Sequence, residues 1–280
     1  MVDFCAEVEP SRLTAFFDKW ELWQGESAAR SEEEQETMER ENPLHVDFDA
    51  EAIWNGAVLQ QASGCGICWL PPVCQTEGTE NDPMAAALLA HYGLDESRGW
   101  SLQRRSFPFP ADAEQTPRTL TLRLMAEEQS FSGGRFTVSA AGQSATLTHP
   151  RTGERFTLTV TAFEQETLPA AAFPDPAREF PTALVTMHYT LTPEPAGGFQ
   201  LRDCAPADTP RPRTGAAPQG ESAALDIIGG ADGPVAVFSA PRGAAGRAAC
   251  SSLHFAPPQQ VTWRAVFREK TAEDIAVTLI

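Results

Sequence analysis

From about residue 118 the chain alternates apolar and polar residues at every second position, as in Leu120, Leu122 and Leu124 with threonine and arginine between them. A period of two sends successive side chains to opposite faces, so such a run makes a half-buried strand and not a helix. Similar short runs recur at 135–140, 145–148, 155–163, 183–192, 199–202, 224–228, 235–239, 252–255, 261–268 and 275–279. The connections carry turn residues: Gly133-Gly134, Ala141-Gly142, Pro150-Arg151-Thr152-Gly153 and Gly197-Gly198. Many short strands without helices between them call for an antiparallel sheet, closed as a sandwich or barrel-like core, and disfavour a parallel α/β sheet.

The first part of the chain has a different period. Leu13, Phe16, Phe17, Trp20 and Trp23 share one face of a helix capped at Ser11 and stopped near Gly25. A second helix is expected from 47–49, with Ile53, Trp54, Ala57 and Val58 on one side. A third has Asp82 as its cap, Pro83 in its first turn and Gly93 as its stop. The acidic run Glu32-Glu33-Glu34-Gln35-Glu36, with Glu39 and Glu41, reads as a solvated face or flexible tail. The expected fold class is therefore α+β, with a smaller helical N-terminal region at 1–105 and an antiparallel β-rich domain at 117–280. Mobile loops are expected near 205–222 and 241–250, where proline, glycine, alanine and arginine leave no apolar face to pack.

Charge excludes some partners. With 21 Lys and Arg against 38 Asp and Glu, the net charge of -17 repels phosphate backbones and anionic membrane surfaces, so neither nucleic acid nor membrane is an expected partner. The N-terminus shows no basic stretch followed by an apolar core, and no window holds the roughly 18 apolar residues of a membrane span. A soluble, acidic, cytoplasmic protein of bacterial type is expected, with its six cysteines reduced.

The clearest chemical cluster is Cys65-Gly66-Ile67-Cys68 with Cys74 beyond it, read as a loop between helices. Thiolates at this spacing can share one tetrahedral zinc, with Cys5, His45 or His91 to complete the site; a redox pair or simple buried thiols are the alternatives. No cofactor is otherwise expected. The five histidines, at 45, 91, 149, 188 and 254, lack metal-pair spacing. His149, at a turn before Pro150, is expected to be exposed and able to touch a ligand. Phosphate-cradling and nucleophile-elbow motifs are missing, so no catalytic residue is nominated.

One further segment, Ile227-Ile228-Gly229-Gly230-Ala231-Asp232-Gly233-Pro234-Val235, reads on its own as two apolar strands joined by a turn. There the glycines supply positive φ and Asp232 bonds back to the turn. It resembles the GGADGPT segment of the β subunits of sodium-translocating carboxylate decarboxylases. That resemblance would give Asp232, among Gly229, Gly230, Gly233 and Pro234, the place of an ion-binding aspartate, with Val235 where that family has threonine. Those subunits cross the membrane many times, so a name of that kind carries no expectation of transport here. Taken with Thr148-His149-Pro150-Arg151-Thr152-Gly153 and Val266-Phe267-Arg268-Glu269-Lys270, the β-rich part resembles a family of uncharacterised proteins of gut Firmicutes. That resemblance implies no catalytic residues.

Together these readings point to a non-enzymatic accessory or protein-interaction protein, with a metal- or thiol-dependent enzyme at Cys65, Cys68 and Cys74 as the competing expectation.

Overall fold

The structure is a computed structural model that describes residues 1–23, 30–76, 80–109, 116, 118–169, 173, 175, 177–213 and 246–280. Its early strands are β1 (Val2–Val8), β2 (Phe48–Trp54), β3 (Ala57–Gln60), β4 (Ser63–Trp69), β5 (Gly99–Ser106), β6 (Leu120–Ala126), β7 (Glu128–Val138) and β8 (Ser144–Thr148). The later ones are β9 (Arg155–Thr167), β10 (Arg178–Glu179), β11 (Ala183–Thr192), β12 (Gly198–Asp203), β13 (Arg211–Pro212), β14 (Arg247–Cys250), β15 (Val261–Lys270) and β16 (Ile275–Thr278). Three helices, α1 (Pro10–Trp20), α2 (Glu32–Glu41) and α3 (Pro83–Tyr92), and a 3-10 turn at Pro72–Cys74 lie before β6. The protein is α+β with antiparallel sheet dominant, as the alternating pattern required. No helix among the described residues is long and apolar enough to cross a membrane. The chain forms two compact units, residues 1–129 with 270–280, and residues 130–269.

In the first unit, one sheet runs β1-β5-β4 and a second runs β16-β6-β2-β3. Val2 and Phe4 of β1 pack with Ala50, Ala52, Leu59 and Leu122 of the second sheet. The opposite face of the first sheet offers Ile67, Trp69, Trp100 and Leu102 to Ala85 and Leu89 of α3. Helix α3 follows its sequence signals. The Asp82 side chain accepts the Met84 N–H, Pro83 fills the first turn, and Gly93 ends the helix at φ 63°.

Helix α1 corrects its expected cap: Glu9 precedes Pro10, no side chain caps the helix, and Glu21 closes it in the left-handed region. Gly25 lies outside the described residues. The acidic run is a helix with no buried residue, started by a capping box in which Ser31 and Glu34 bond each other's backbone N–H.

The helix expected from 47–49 is instead the hairpin β2–β3. Phe48, Ala50, Ala52 and Trp54 alternate, and Asn55 and Gly56 turn the chain at φ 49° and 86°. Asn-Gly between alternating residues is a strong hairpin signal, and it outweighs the partial helical spacing of Ile53, Trp54, Ala57 and Val58. The cysteine segment expected as a loop is strand β4. The N-terminal region is thus helical only in part.

The second unit is a two-layer sandwich. Sheet β14-β11-β9-β8 and sheet β12-β15-β7 share one core, in which Phe156, Leu158, Val185 and Met187 meet Trp263, Ala265 and Phe267. The glycine pair expected to turn at Gly133-Gly134 lies inside β7. A Cβ on Gly133 would stand 2.3 Å from the Phe267 ring, so the missing side chain makes room for the core.

Two stretches of the expected mobile loops hold strand instead. Residues Arg211–Pro212 pair with β10, and Arg247–Cys250 pair with β11. The first is pinned because Asp208 accepts the Phe255 N–H at 2.8 Å and the Arg211 guanidinium lies 4.0 Å from the Phe255 ring centre. Positions 205–210, 213 and 246 of the expected loops form no strand, while the other loop positions, the strands expected at 224–228 and 235–239, and Gly229, Gly230, Asp232, Gly233 and Pro234 lie outside the described residues.

Candidate functional site

The register of the first sheet sets Asp3 opposite Arg104 and Arg104 opposite Cys65; two residues along, Cys5 faces Leu102 and Leu102 faces Ile67. Residues two apart on a strand share a face, so these six side chains stand on one surface. It is the surface α3 covers. Met84, Ala87, Leu88 and Tyr92 of α3 form the wall of a groove of about 400 Å³ above it. Helical spacing produces the wall, because residues three and four apart share a face.

The groove is apolar along Ile67, Leu88, Leu102 and Met84 and polar at one end. There the Asp3 carboxylate accepts Nε and Nη2 of Arg104 at 2.7 and 2.8 Å, and the Tyr92 hydroxyl donates to the same carboxylate at 2.5 Å. Hydrogen bonding from Arg104 holds the Asp3 carboxyl down at about 2; partial burial opposes it and Tyr92 assists. The same contact raises the Tyr92 phenol above its ordinary range. Arg104 spends two of its five N–H groups on Asp3, and its Nη1 edge has no protein partner among the described residues. The polar end is an ion pair of Asp3 and Arg104, both of which line the groove.

The structure does not bring the three nominated cysteines together. Cys65 and Cys68 are three apart on one strand, so they point to opposite faces of the sheet. Cys65 lines the groove. Cys68 is hydrogen-bonded with Ser101 on the far face, where burial pushes its thiol up. Cys74 is fully buried against Val8, Leu13 and Leu44, and burial raises its thiol as well. The proposed completing ligands are scattered: Cys5 is in the groove, His45 pairs with Asp47, and His91 meets Tyr92 edge to face. Among the described residues no three His, Cys, Asp or Glu side chains are grouped to hold a metal ion.

His149 is buried at 8% exposure, correcting the expected exposed turn. His188 and His254 are partly buried, and His254 Nδ1 lies 3.5 Å from Asp208.

Sequence reasoning missed Asp3, Tyr92 and Arg104. The alternation of Val2, Phe4, Ala6 and Val8 could have revealed β1, but nothing in the sequence pairs residue 3 with residue 104.

The fold and groove define a β-dominated α+β protein with a small-molecule-sized apolar site. Set against family models, curated proteins and solved structures, the chain matches none of them.

Proposed function

We propose that this protein is a non-enzymatic binding protein whose site is the groove between α3 and the β1-β5-β4 sheet. Its ligand is a small, mainly apolar molecule ending in a hydrogen-bond acceptor. The observation that carries this reading is an apolar groove of about 400 Å³ with its polar groups gathered at one end, the usual composition of a ligand pocket.

The polar end is equipped for recognition and not for turnover. A carboxylate held at about 2 and already bonded to Arg104 and Tyr92 is a weak base. Cys5 has its thiol pushed up, by burial first and by Asp3 second, so it is a poor nucleophile. What the groove offers a ligand is apolar contact along its length and, at its end, the Nη1 edge of Arg104, which has no partner among the described residues.

The test is a titration with octanoate, octanol and octylamine, followed by displacement of an apolar fluorescent probe. Octanoate and octanol should bind saturably, octylamine should bind at least tenfold more weakly, and Ala87→Trp, which fills the groove from its exposed wall, should abolish binding. Binding that survives Ala87→Trp, or no saturable binding by any of the three, overturns the reading.

A further inference from the structure

In the second unit the hairpin between β8 and β9 closes with His149 N–H on the Glu154 carbonyl and Gly153 N–H on the His149 carbonyl. The turn is then capped from within. The imidazole Nδ1 accepts the backbone N–H groups of Arg151 and Thr152, each at 3.3 Å. A nitrogen that accepts two N–H donors carries a lone pair, so the neutral ring bears its proton on Nε2. The ring is held in place against Phe267, with centroids 4.7 Å apart.

That Nε2–H has no hydrogen-bond acceptor among the described residues. Glu269 Oε2 is 3.8 Å away, beyond hydrogen-bond range. On its other side Glu269 forms an ion pair with Arg151, Nε to Oε1 2.7 Å, in which Oε1 gains no hydrogen bond. Both groups line a cleft of about 80 Å³ closed by the segment around Gly197 and Gly198. Gly197 is required for that closure, since a Cβ there would stand 2.4 Å from the Arg268 carbonyl oxygen.

A fixed donor and a fixed acceptor therefore sit side by side, each lacking the other, over a space of about two or three waters at ~30 Å³ each. A primary carboxamide complements both with separate atoms, its carbonyl accepting from Nε2–H and its N–H donating to Oε2. A carboxylate would offer no donor to Oε2, and an ammonium group would leave Nε2–H unanswered. We propose that this cleft is a binding site for a primary carboxamide, separate from the groove of the first unit and independent of it. His149 is 8% exposed, so a ligand group that leaves its Nε2–H unpaired in the cleft is disfavoured.

The experiment compares propionamide, propionate and propylamine by nuclear magnetic resonance on the full chain, following the His149 ring and the amides of Gly197 and Gly198. Propionamide should shift these signals saturably in the millimolar range, with propionate and propylamine at least tenfold weaker. A short glutamine-containing peptide separates the sources: tighter binding than propionamide assigns the site to a side-chain carboxamide, weaker binding to a free small amide. His149→Asn supplies a side-chain oxygen to cap the Arg151 and Thr152 N–H groups but removes Nε2–H, and should lose the propionamide response at least tenfold. Equal responses to all three small probes, or no saturable propionamide response in the wild-type chain, overturns the proposal without reliance on the variant.

Discussion

Asp3 and Arg104 form a two-point ion pair across β1 and β5, with Nε and Nη2 of the arginine 2.7 and 2.8 Å from the two carboxylate oxygens. A planar fork meeting a planar carboxylate fixes both side chains, and Tyr92 of α3 closes on the same carboxylate. One contact thus ties the N-terminal strand, the central strand and the helix that walls the groove.

The stability this contact contributes depends on pH. The folded Asp3 carboxyl sits at about 2, below the value of about 3.9 for an unfolded aspartate, so on acidification the unfolded chain takes up the proton first. The contribution is full above about pH 4 and is lost as pH falls through about 2. Asp3→Asn should be modestly less stable than wild type at pH 7, because water screens the half-exposed Arg104. Urea unfolding of both proteins at pH 7, 4 and 2.5 checks this; a gap that widens on acidification contradicts it.

Thiol reactivity should follow location. Thiolate is the reactive form, and burial disfavours it at Cys68 and Cys74. Alkylation of the native protein at pH 8, read by peptide mass spectrometry, should among these three label Cys65 first, Cys68 at least several-fold more slowly, and Cys74 only on unfolding. Chelator treatment should leave the melting temperature unchanged, since Cys65 and Cys68 face opposite sides of one sheet.

Helix α2 buries no residue, so its order rests on its ends and not on packing. Ser31→Ala removes the cap to the Glu34 N–H and should speed hydrogen exchange across 32–41 by roughly fivefold, the weight of one side-chain cap. Global unfolding should stay where it was. A matching loss of global stability would mean that the helix packs more firmly than its exposure indicates.

In the sandwich, Gly133→Ala drives a Cβ to within 2.3 Å of the Phe267 ring, itself 1% exposed. Overpacking of a filled core costs about 1–3 kcal/mol, and Gly133→Ala should lose that much in denaturant unfolding. Gly142→Ala is a useful contrast: nothing lies within 4 Å of its Cβ, so any loss there comes from its φ of 84° and not from crowding.

Local rules reached a long way into this chain. The alternation at 183–192 is β11 residue for residue, and Asp82, Pro83 and Gly93 mark α3 at both ends, because strand period, helix capping and left-handed turns depend on neighbours a few positions apart. The same rules misled where two periods overlapped, as at 47–58, where the Asn55-Gly56 turn decided for strand. The groove was out of reach for another reason. Asp3 and Arg104 are 101 positions apart, and only the pairing of β1 with β5 makes them neighbours.

Tertiary structure also decided the cysteines and His149. The spacing of Cys65 and Cys68 suits a metal in a loop, but strand geometry turns the two thiols away from each other. His149 reads as an exposed turn residue, yet packing on Phe267 buries it and the turn's own N–H groups fix its proton. The sequence by itself determined strands such as β6, β11 and β15, both ends of α3 and the predominance of antiparallel sheet, because these follow from short-range backbone and side-chain preferences. Only the packing of sheet on sheet and helix on sheet decided which polar groups meet, because that depends on which face each strand turns inward.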